Sequence, residues 1–277
     1  MGSRSSRILG GGDDAGRSLA IAALSTTVFV GVVVLVVVSS AGWQEVKRSF
    51  FNGEQFAKSL PDIASAFGLN VRLFLLAEVL ILVVALGLAV LRSLPGPVFF
   101  PLRLLALAYV DLFRGVPTVL VIYILGFGAP ALAISGVPRS PFFWGVVALV
   151  LVYSAYVSEV YRAGIDSVHP SQEAAARSLG LTRAQALRHV VLPQAVRRVI
   201  PPLLNDFIGL QKDTALVALI GPVEAFRQSQ IEVAGSFNYT PYLATALIFI
   251  LLTIPLARFT DWLVARDRRR RLAGRAA

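Results

Sequence analysis

The feature that most constrains this chain is a series of apolar stretches long enough to cross a lipid bilayer. A helix needs about 20 apolar residues to span the hydrocarbon layer, and Leu19–Ser39, with "VFVGVVVLVVV" at its centre, has that length. Because this run exceeds the roughly 7–15 apolar residues of a signal peptide, we interpret it as a retained span, with a cleaved signal peptide as the alternative. The further predicted spans are Val71–Leu91, Leu104–Gly126, Phe142–Val160, Val199–Ile220 and Tyr242–Val264. The predicted fold class is all-α, a polytopic helical membrane protein.

The composition agrees with a membrane protein and argues against several other classes. Of the 277 residues, 56% are hydrophobic and 15% are charged, whereas a soluble domain has about 25% charged residues. Without cysteine, neither a disulfide framework nor a thiolate metal site is possible. The two histidines, His169 and His189, lack the spacing of a metal site. The sequence shows no nucleophile–base pair that would indicate a membrane enzyme. We therefore expect no catalytic residue, no metal site and no cofactor bound by this chain.

The basic residues decide how many spans to count. Val199–Ile220 is the doubtful span because it contains several polar residues: Asn205, Asp206, Gln211, Lys212 and Asp213. With this span included, most of the 26 lysines and arginines lie on the inside, whereas without it the arginine-rich C-terminal tail would lie outside, against the positive-inside rule. We therefore predict six spans with both termini cytoplasmic. This topology explains the net charge of +10, so nucleic acid is not needed as a partner.

A polar segment, Glu173–Pro193, separates the fourth and fifth predicted spans, and its local chemistry predicts a hairpin of two short helices. Ser171 is suited to cap the first helix, and Gly180 is suited to the left-handed conformation that ends it. Thr182 and Gln185 then form the capping-box pattern that opens a second helix, which Pro193 interrupts. From these residues alone, the hairpin could pack against its own protein, bind DNA as a helix-turn-helix, or contact another protein.

Three stretches carry a resemblance to a known family. Gly180, followed after nine residues by "VVLP" (Val190–Pro193), matches the spacing of the EAA signature. "YVDLFRGVPTVLV" (Tyr109–Val121) resembles a second family element. Leu192–Gly221 is similar to the segment that follows the signature in polar amino-acid permeases. The chain therefore resembles the transmembrane subunits of bacterial ABC importers of the polar amino-acid type, over roughly Phe67 to Arg266.

The resemblance implies a five-helix type I permease core over 67–266, with 19–39 as an extra N-terminal transmembrane helix. Residues 1–18 and 267–277 would be cytoplasmic tails, and 171–193 would be the loop that couples to the ATPase. The coupling residues that it implies are Glu173, Ala174, Ala175, Ala176, Gly180, Leu192 and Pro193. The chain departs from the family at one point: the signature's glutamate usually aligns with Ala174, whereas here it is Glu173, about 100° away on a helix.

The partners that the resemblance implies are an ABC ATPase dimer, a second copy of the permease or a homologous permease, and an extracytoplasmic solute-binding protein. The lipid bilayer is a further expected partner, which would surround the transmembrane helices. No G-x-x-x-x-G-K-[ST] motif is present in this sequence. ATP and magnesium are therefore expected on the partner ATPase.

Charged residues inside predicted spans are candidates for the translocation pathway or its gates, because each costs roughly 2.5–3.5 kcal/mol on insertion scales and needs a partner or a polar cavity. Asp111 and Arg114 are three apart and are expected to pair with each other, and Gly115 and Pro117, which follow them, are expected to kink the same helix. The full set of candidates is Glu78, Asp111, Arg114, Asp206, Lys212, Asp213 and Thr214.

The function that the sequence favours is that of a permease subunit of an ATP-driven importer of polar amino acids in the bacterial cytoplasmic membrane. Two alternatives stay open at this point. One is an importer permease for another small solute, since a fold does not fix its substrate. The other is a membrane-anchored regulator that uses the hairpin to bind DNA. It is disfavoured because the hairpin is tethered to spans at both ends.

Overall fold

The computed structural model describes the backbone of residues 13–276 and the side chains of residues 16–266 and 269. Most of the predicted N-terminal tail, 1–18, and nearly all side chains of the predicted C-terminal tail, 267–277, lie outside the described residues. Within the described part the chain is helical and contains no strand, which confirms the all-α fold class. The α-helices, in chain order, are α1 (Asp13–Val38), α2 (Trp43–Phe50), α3 (Gly53–Ser93), α4 (Phe100–Gly115), α5 (Thr118–Tyr123), α6 (Ala129–Ala131), α7 (Pro141–Asp166), α8 (Pro170–Ser178), α9 (Arg183–Ala186), α10 (Leu192–Asp213), α11 (Ala225–Ser236) and α12 (Thr240–Ala276).

The chain divides into two compact units, the first ending at Gly53 and the second beginning at Glu54. The first unit contains α1 and α2. From Leu19 to Val38 the side chains of α1 are mostly apolar and largely exposed, with Phe29 at 70% and Leu35 at 69% of full exposure. An exposed surface of this kind over 20 residues or more is typical of a helix that contacts lipid.

The second unit is built around α7. Its core consists of apolar side chains from α3, α5, α7 and α10, including Leu73, Ile122, Leu149 and Leu210, each fully buried. Glycines in α7 allow close approach: a β-carbon at Gly164 would collide with Val199 of α10. Close helix contact through small residues is the usual means of packing helices in a membrane.

Within the described residues, four helices are long and apolar enough to cross a membrane: Gly16–Val38, the helical stretch that ends at Ser93, Pro141–Asp166 and Thr240–Arg266. They contain the predicted spans that begin at Leu19, Val71, Phe142 and Tyr242. A fifth candidate is the bent pair Pro97–Gly115 and Thr118–Ala131. The predicted span Val199–Ile220 is not among these candidates, because α10 carries too many polar residues. It instead combines the end of α10 with a 3-10 turn, Thr214–Ile220. The sixth span stays a prediction.

The predicted span Leu104–Gly126 is not one continuous helix. Helix α4 ends at Gly115, Val116 is extended, and α5 begins at Thr118, with a bend of 104° between the two parts. The kink expected from Gly115 and Pro117 is present, and it is a complete break. The physical reason is that proline disfavours the helical region for the residue before it, and Val116 adopts the extended conformation, with φ −100° and ψ 131°.

Candidate functional site

The hairpin between α7 and α10 has the two-helix form that the sequence predicts, but its first cap differs. His169 precedes α8, and its Nδ1 accepts a hydrogen bond from the backbone N–H of Ser171 at 3.2 Å. The prediction that Ser171 is the cap is therefore wrong. Pro170 favours the first position of a helix, which places the cap one residue before it.

The turn of the hairpin follows the predicted chemistry. Gly180 has a φ of +89°, and the N–H of Leu181 donates to Ala176 O at 3.3 Å, as in a glycine-terminated helix. The capping box is also present: the N–H of Gln185 donates to Thr182 Oγ1 at 3.3 Å, and the N–H of Thr182 donates to Gln185 Oε1 at 2.9 Å. These local contacts confirm the turn and the start of α9.

The outer face of the hairpin is a shallow concave surface of about 530 Å³, with Ala174, Arg177, Gly180 and Arg183 among its lining residues. Ala174 and Ala175 are exposed, whereas Ala176 is buried beneath them. Leu179, at the tip, is 85% exposed. Arginine is enriched at protein–protein interfaces, and Leu179 adds an exposed apolar group beside the arginines of this surface. We call this surface the hairpin face.

Glu173 lies inside the hairpin and links its two helices. Its Oε1 is 3.7 Å from Arg183 Nε, and both side chains are accessible to solvent, Arg183 at 81%. The sequence predicted a carboxylate displaced from the family position. In the structure that carboxylate is directed to a residue of α9.

The prediction that Pro193 interrupts the second helix is wrong. A π-helical turn, Leu187–Val191, follows α9 and runs directly into α10, which has Pro193 in its first turn and Leu192 half exposed. A π-turn is one of the few ways in which a helix accommodates a local irregularity without ending. The backbone is therefore helical from α9 through α10, and the hairpin is continuous with that long helix.

Arg198 connects the segments that enter and leave the hairpin, the end of α7 and the start of α10, through hydrogen bonds. Its guanidinium, on α10, donates to Ser167 O and, at 3.0 Å, to Ser167 Oγ at the end of α7. Beside it, Val168, Val191 and Ala195 form a small buried cluster. We call this end of the bundle the hairpin end.

Of the predicted pathway residues, Arg114 is at the hairpin end but does not pair with Asp111. Its Nη1 is 4.0 Å from Glu159 Oε2, and its guanidinium lies 5.7 Å from the ring centre of Tyr156. Among the described side chains, the ion pairs do not include Asp111. The predicted pair is therefore wrong: Arg114 contacts α7 rather than its own helix. The sequence analysis does not include Glu159 among its candidates. The one feature that could have identified it is its position as an acidic residue near the end of an apolar stretch.

Arg114 and Asp206 are brought together in one cavity. This cavity has a volume of about 420 Å³, and Glu159 and Arg198 also line it. The Oδ2 atom of Asp206 is buried without a hydrogen-bond partner among the described residues. Glu78 is half buried on α3, near enough to Asp206 for their charges to interact. The cavity therefore offers both a basic and an acidic group.

The remaining candidates lie towards the other end of α10 and have separate partners. Asp213 accepts a hydrogen bond from Tyr153 OH at 2.9 Å. Thr214 Oγ1 is buried and accepts from Asn70 Nδ2 at 3.1 Å. Lys212 is exposed. The predicted polar cluster is therefore divided among several contacts and does not form one site.

Two residues that the sequence did not single out complete a network at this opposite end. Asn70 Nδ2 also donates to Glu224 Oε2 at 2.7 Å, and Asn70 Oδ1 accepts from the N–H of Ala225 at 3.1 Å. The carboxylate of Glu224 is fully buried and accepts from the N–H groups of Phe226 and Arg227 at the start of α11. Within the described part of the chain, no three potential ligands are grouped as a metal site would require.

Comparison with known proteins adds a family and several relatives. The family described as "Binding-protein-dependent transport system inner membrane component" matches residues 93–269. Probable glutamine ABC transporter permease protein GlnM of Bacillus subtilis (strain 168) is 36% identical over 69% of this chain and 88% of its own length. Arginine transport system permease protein ArtQ of the same organism is 31% identical, over 71% and 88%.

Solved structures agree with these relatives. A chain of "an amino acid ABC transporter with histidines" has a TM-score of 0.71 and 31% identity, covering 78% of this chain and 98% of that one. A chain of the MetNI methionine ABC transporter, in an inward-facing conformation, has a TM-score of 0.58 at 18% identity over 74% and 95%. The second likeness concerns the fold alone.

Proposed function

Because this chain belongs to the family of binding-protein-dependent transport system inner membrane components, a family of ABC importer permeases, we propose that it forms the translocation pathway for polar amino acids. It is a transport subunit and not an enzyme. Two relatives that this chain matches over most of their length are named as permeases for glutamine and arginine. Their names support an amino-acid substrate here. The five-helix core of the importer would correspond to the part of the chain from α3 to α12.

The hairpin face is the observation that carries the coupling role. It combines an exposed leucine, small alanines and basic side chains on a compact, well-capped pair of helices. We assign to it the contact with an ATPase dimer on separate chains, which would bind ATP and magnesium. Glu173, Ala174, Ala175, Ala176 and Gly180 would form or support this contact, and Leu192 and Pro193 would join it to α10.

The cavity at the hairpin end supports a pathway for zwitterions. An α-amino acid carries a carboxylate and an ammonium group, and the cavity presents Arg114 and Asp206 as groups of opposite charge. Its volume of about 420 Å³ is within the usual range for small-molecule sites. A second permease copy or a homologue would complete the pathway, and a solute-binding protein would deliver the substrate at the opposite end. Gating at that end would involve Thr214 and Asp213.

The orientation that this function requires places the hairpin end in the cytoplasm of a bacterial cell, because ATP is there. Both termini would also be cytoplasmic, in the inner membrane. Arginines such as Arg162, Arg177 and Arg183 at the hairpin end agree with the positive-inside rule.

The test is a pull-down of the detergent-solubilised chain with the ATPase encoded beside it, comparing wild type with Gly180→Pro. Proline fixes φ near about −65°, whereas Gly180 has a φ of +89°, so this change must break the hairpin turn. A matched control is Gly136→Pro. Gly136 has a φ of +87° in the loop before α7, at the opposite end, and like Gly180 it has open space around it.

We expect wild type and Gly136→Pro to retain the ATPase and Gly180→Pro to lose it. Equal binding by all three would show that the hairpin face is not the docking surface. If wild type captures no ATPase, the coupling role of this chain is wrong.

A further inference from the structure

Glu159 is shared by three arginines that come from three helices. Its Oε1 accepts a hydrogen bond from Arg92, in the last turn of α3. Its Oε2 lies 4.0 Å from Arg114 at the end of α4 and 3.4 Å from Arg162, one turn later on α7 itself. Two of these contacts therefore join different helices, and the third lies within one helix.

Burial makes the contact between Glu159 and Arg92 different from an ordinary surface ion pair, whereas Arg114, at 44% exposed, is partly accessible to solvent. The Glu159 side chain is 22% exposed and that of Arg92 is 12% exposed, whereas Arg162 is 50% exposed. One carboxylate thus faces three guanidinium groups in a partly desolvated site. Removing its charge leaves mutually repelling cations near the end of α3 and α4.

The end of α7 beyond Glu159 is firmly attached to the hairpin. Arg198 of α10 donates to Ser167 at the C-terminal end of α7, and Gly164 lets α7 lie directly against Val199. A force on the hairpin must therefore displace the ends of α7 and α10 together.

The end of α4 is equally attached to α7. Besides the Glu159 contact, the Arg114 guanidinium lies over the Tyr156 ring, and Tyr156 OH donates to Arg114 O at 3.4 Å. The break of 104° between α4 and α5 follows immediately, at Val116 and Pro117. Glu159 thus lies between the hairpin-bearing helices and the break between α4 and α5.

We propose that Glu159 is a positioning residue for transport, which makes the ends of α3 and α4 move with α7 when the hairpin is displaced. The inference rests on the proposed contact between the hairpin and an ATPase. The two differ in their readouts: the hairpin face determines whether the ATPase binds, and Glu159 determines whether ATP hydrolysis is converted into transport.

The experiment uses the permease co-purified with its ATPase in proteoliposomes with the solute-binding protein, and measures ATPase retained, ATP hydrolysed and radiolabelled glutamine or arginine taken up. Glu159→Gln and Arg92→Gln should retain the ATPase and its basal hydrolysis but lower uptake per ATP by about tenfold, within the range of coupling energies measured between sites. Arg162→Gln is the matched control: it also removes an arginine from Glu159, but only within α7, and should stay within about twofold of wild type.

The proposal would be overturned if Glu159→Gln left the uptake per ATP unchanged. It would also be overturned if Arg162→Gln lowered the uptake per ATP as much as Arg92→Gln does. Loss of the ATPase from Glu159→Gln would also overturn it, since Glu159 would then support the hairpin itself. Failure of the wild type to bind the ATPase would instead remove the proposed function.

A covalent rescue separates positioning from folding. The chain has no cysteine, so a double variant, Arg92→Cys with Glu159→Cys, carries the only thiols, and a short bifunctional thiol reagent can rejoin α3 to α7. We expect low uptake per ATP before cross-linking and a several-fold recovery after it. Glu159→Cys with Arg162→Cys, cross-linked within α7, should not recover. No recovery in the first variant, or equal recovery in both, contradicts the proposal.

Discussion

At the hairpin end of the bundle, Glu159 is paired with arginines and partly reached by solvent, whereas at the opposite end Glu224 is fully buried and accepts hydrogen bonds only from neutral donors. The first carboxylate is held by charges on movable side chains of several helices. The second is held by Asn70 and by backbone N–H groups at the start of α11. The Glu159 pairs depend on long side chains from three helices, whereas the Glu224 carboxylate is held by a side-chain amide and two backbone N–H groups. Loss of the Glu159 charge should therefore affect how helix ends move together, and loss of the Glu224 carboxylate should affect the stability of the fold.

The largest expected effect on the free energy of unfolding comes from removing the buried carboxylate at the opposite end. Glu224→Ala removes the acceptor of the part-buried Phe226 and Arg227 N–H groups and one of the two acceptors of the buried Asn70 amide. We expect a loss of about 3 kcal/mol in the free energy of unfolding, since each unsatisfied buried group costs about 1–3 kcal/mol. The measurement is unfolding in mixed detergent micelles, followed by tryptophan fluorescence.

The control for this variant lies on the same helix. Glu232 is only partly buried and accepts a hydrogen bond from Gln228 at 3.1 Å, so Glu232→Ala should lower the free energy of unfolding by less than about 1 kcal/mol. If both variants lose the same amount, the network around Glu224 does not hold the opposite end.

The same comparison explains which features the sequence could predict. The turn at Gly180 and the capping box of Thr182 and Gln185 were predicted because all their atoms belong to a few consecutive residues. The network of Asn70 and Glu224 was not, because 154 residues separate its members and neither lies in a recognisable pattern. Burial, which sequence does not reveal residue by residue, is what gives that network its energy.

The sequence identifies the charged residues in apolar stretches as candidates, but it does not identify the residue with which each one pairs. Arg114 was expected to pair with Asp111, because residues three apart on a helix are neighbours. The structure instead directs it across to Glu159, since α4 packs against α7 along its length. The sequence predicts a kink at Gly115 and Pro117, whereas the structure has a complete break with a bend of 104°.

A smaller effect sharpens the comparison at the hairpin end. Thr182→Ala removes the cap of α9, and N-cap substitutions cost about 1 kcal/mol. Because the hairpin is a local element, we expect faster hydrogen exchange in α9, by about fivefold for that energy, with little change in global unfolding. Hydrogen exchange with mass spectrometry measures it.

Ser178→Ala provides a matched hydroxyl deletion in the same hairpin. The Ser178 hydroxyl donates to Ala174 O within α8 and is exposed, so its removal leaves no buried group unpaired and exchange in α9 should not change. An equal acceleration in both variants would mean that the capping box does not stabilise the start of α9.

The smallest expected effect on stability concerns Glu173. Its contact with Arg183 spans 3.7 Å between exposed groups, and such pairs contribute about 0–1 kcal/mol. Glu173→Ala should therefore change the free energy of unfolding by less than about 0.5 kcal/mol, at low or high salt.

If the same variant also weakens ATPase capture in the pull-down, the carboxylate must act on the partner and not on the fold, despite its displacement from the family position. Arg183→Ala is the companion variant in the unfolding measurement only, because it removes the same contact within the hairpin but also changes a residue that lines the hairpin face. Unchanged capture by Glu173→Ala would show that the ATPase contact depends on the rest of the hairpin face.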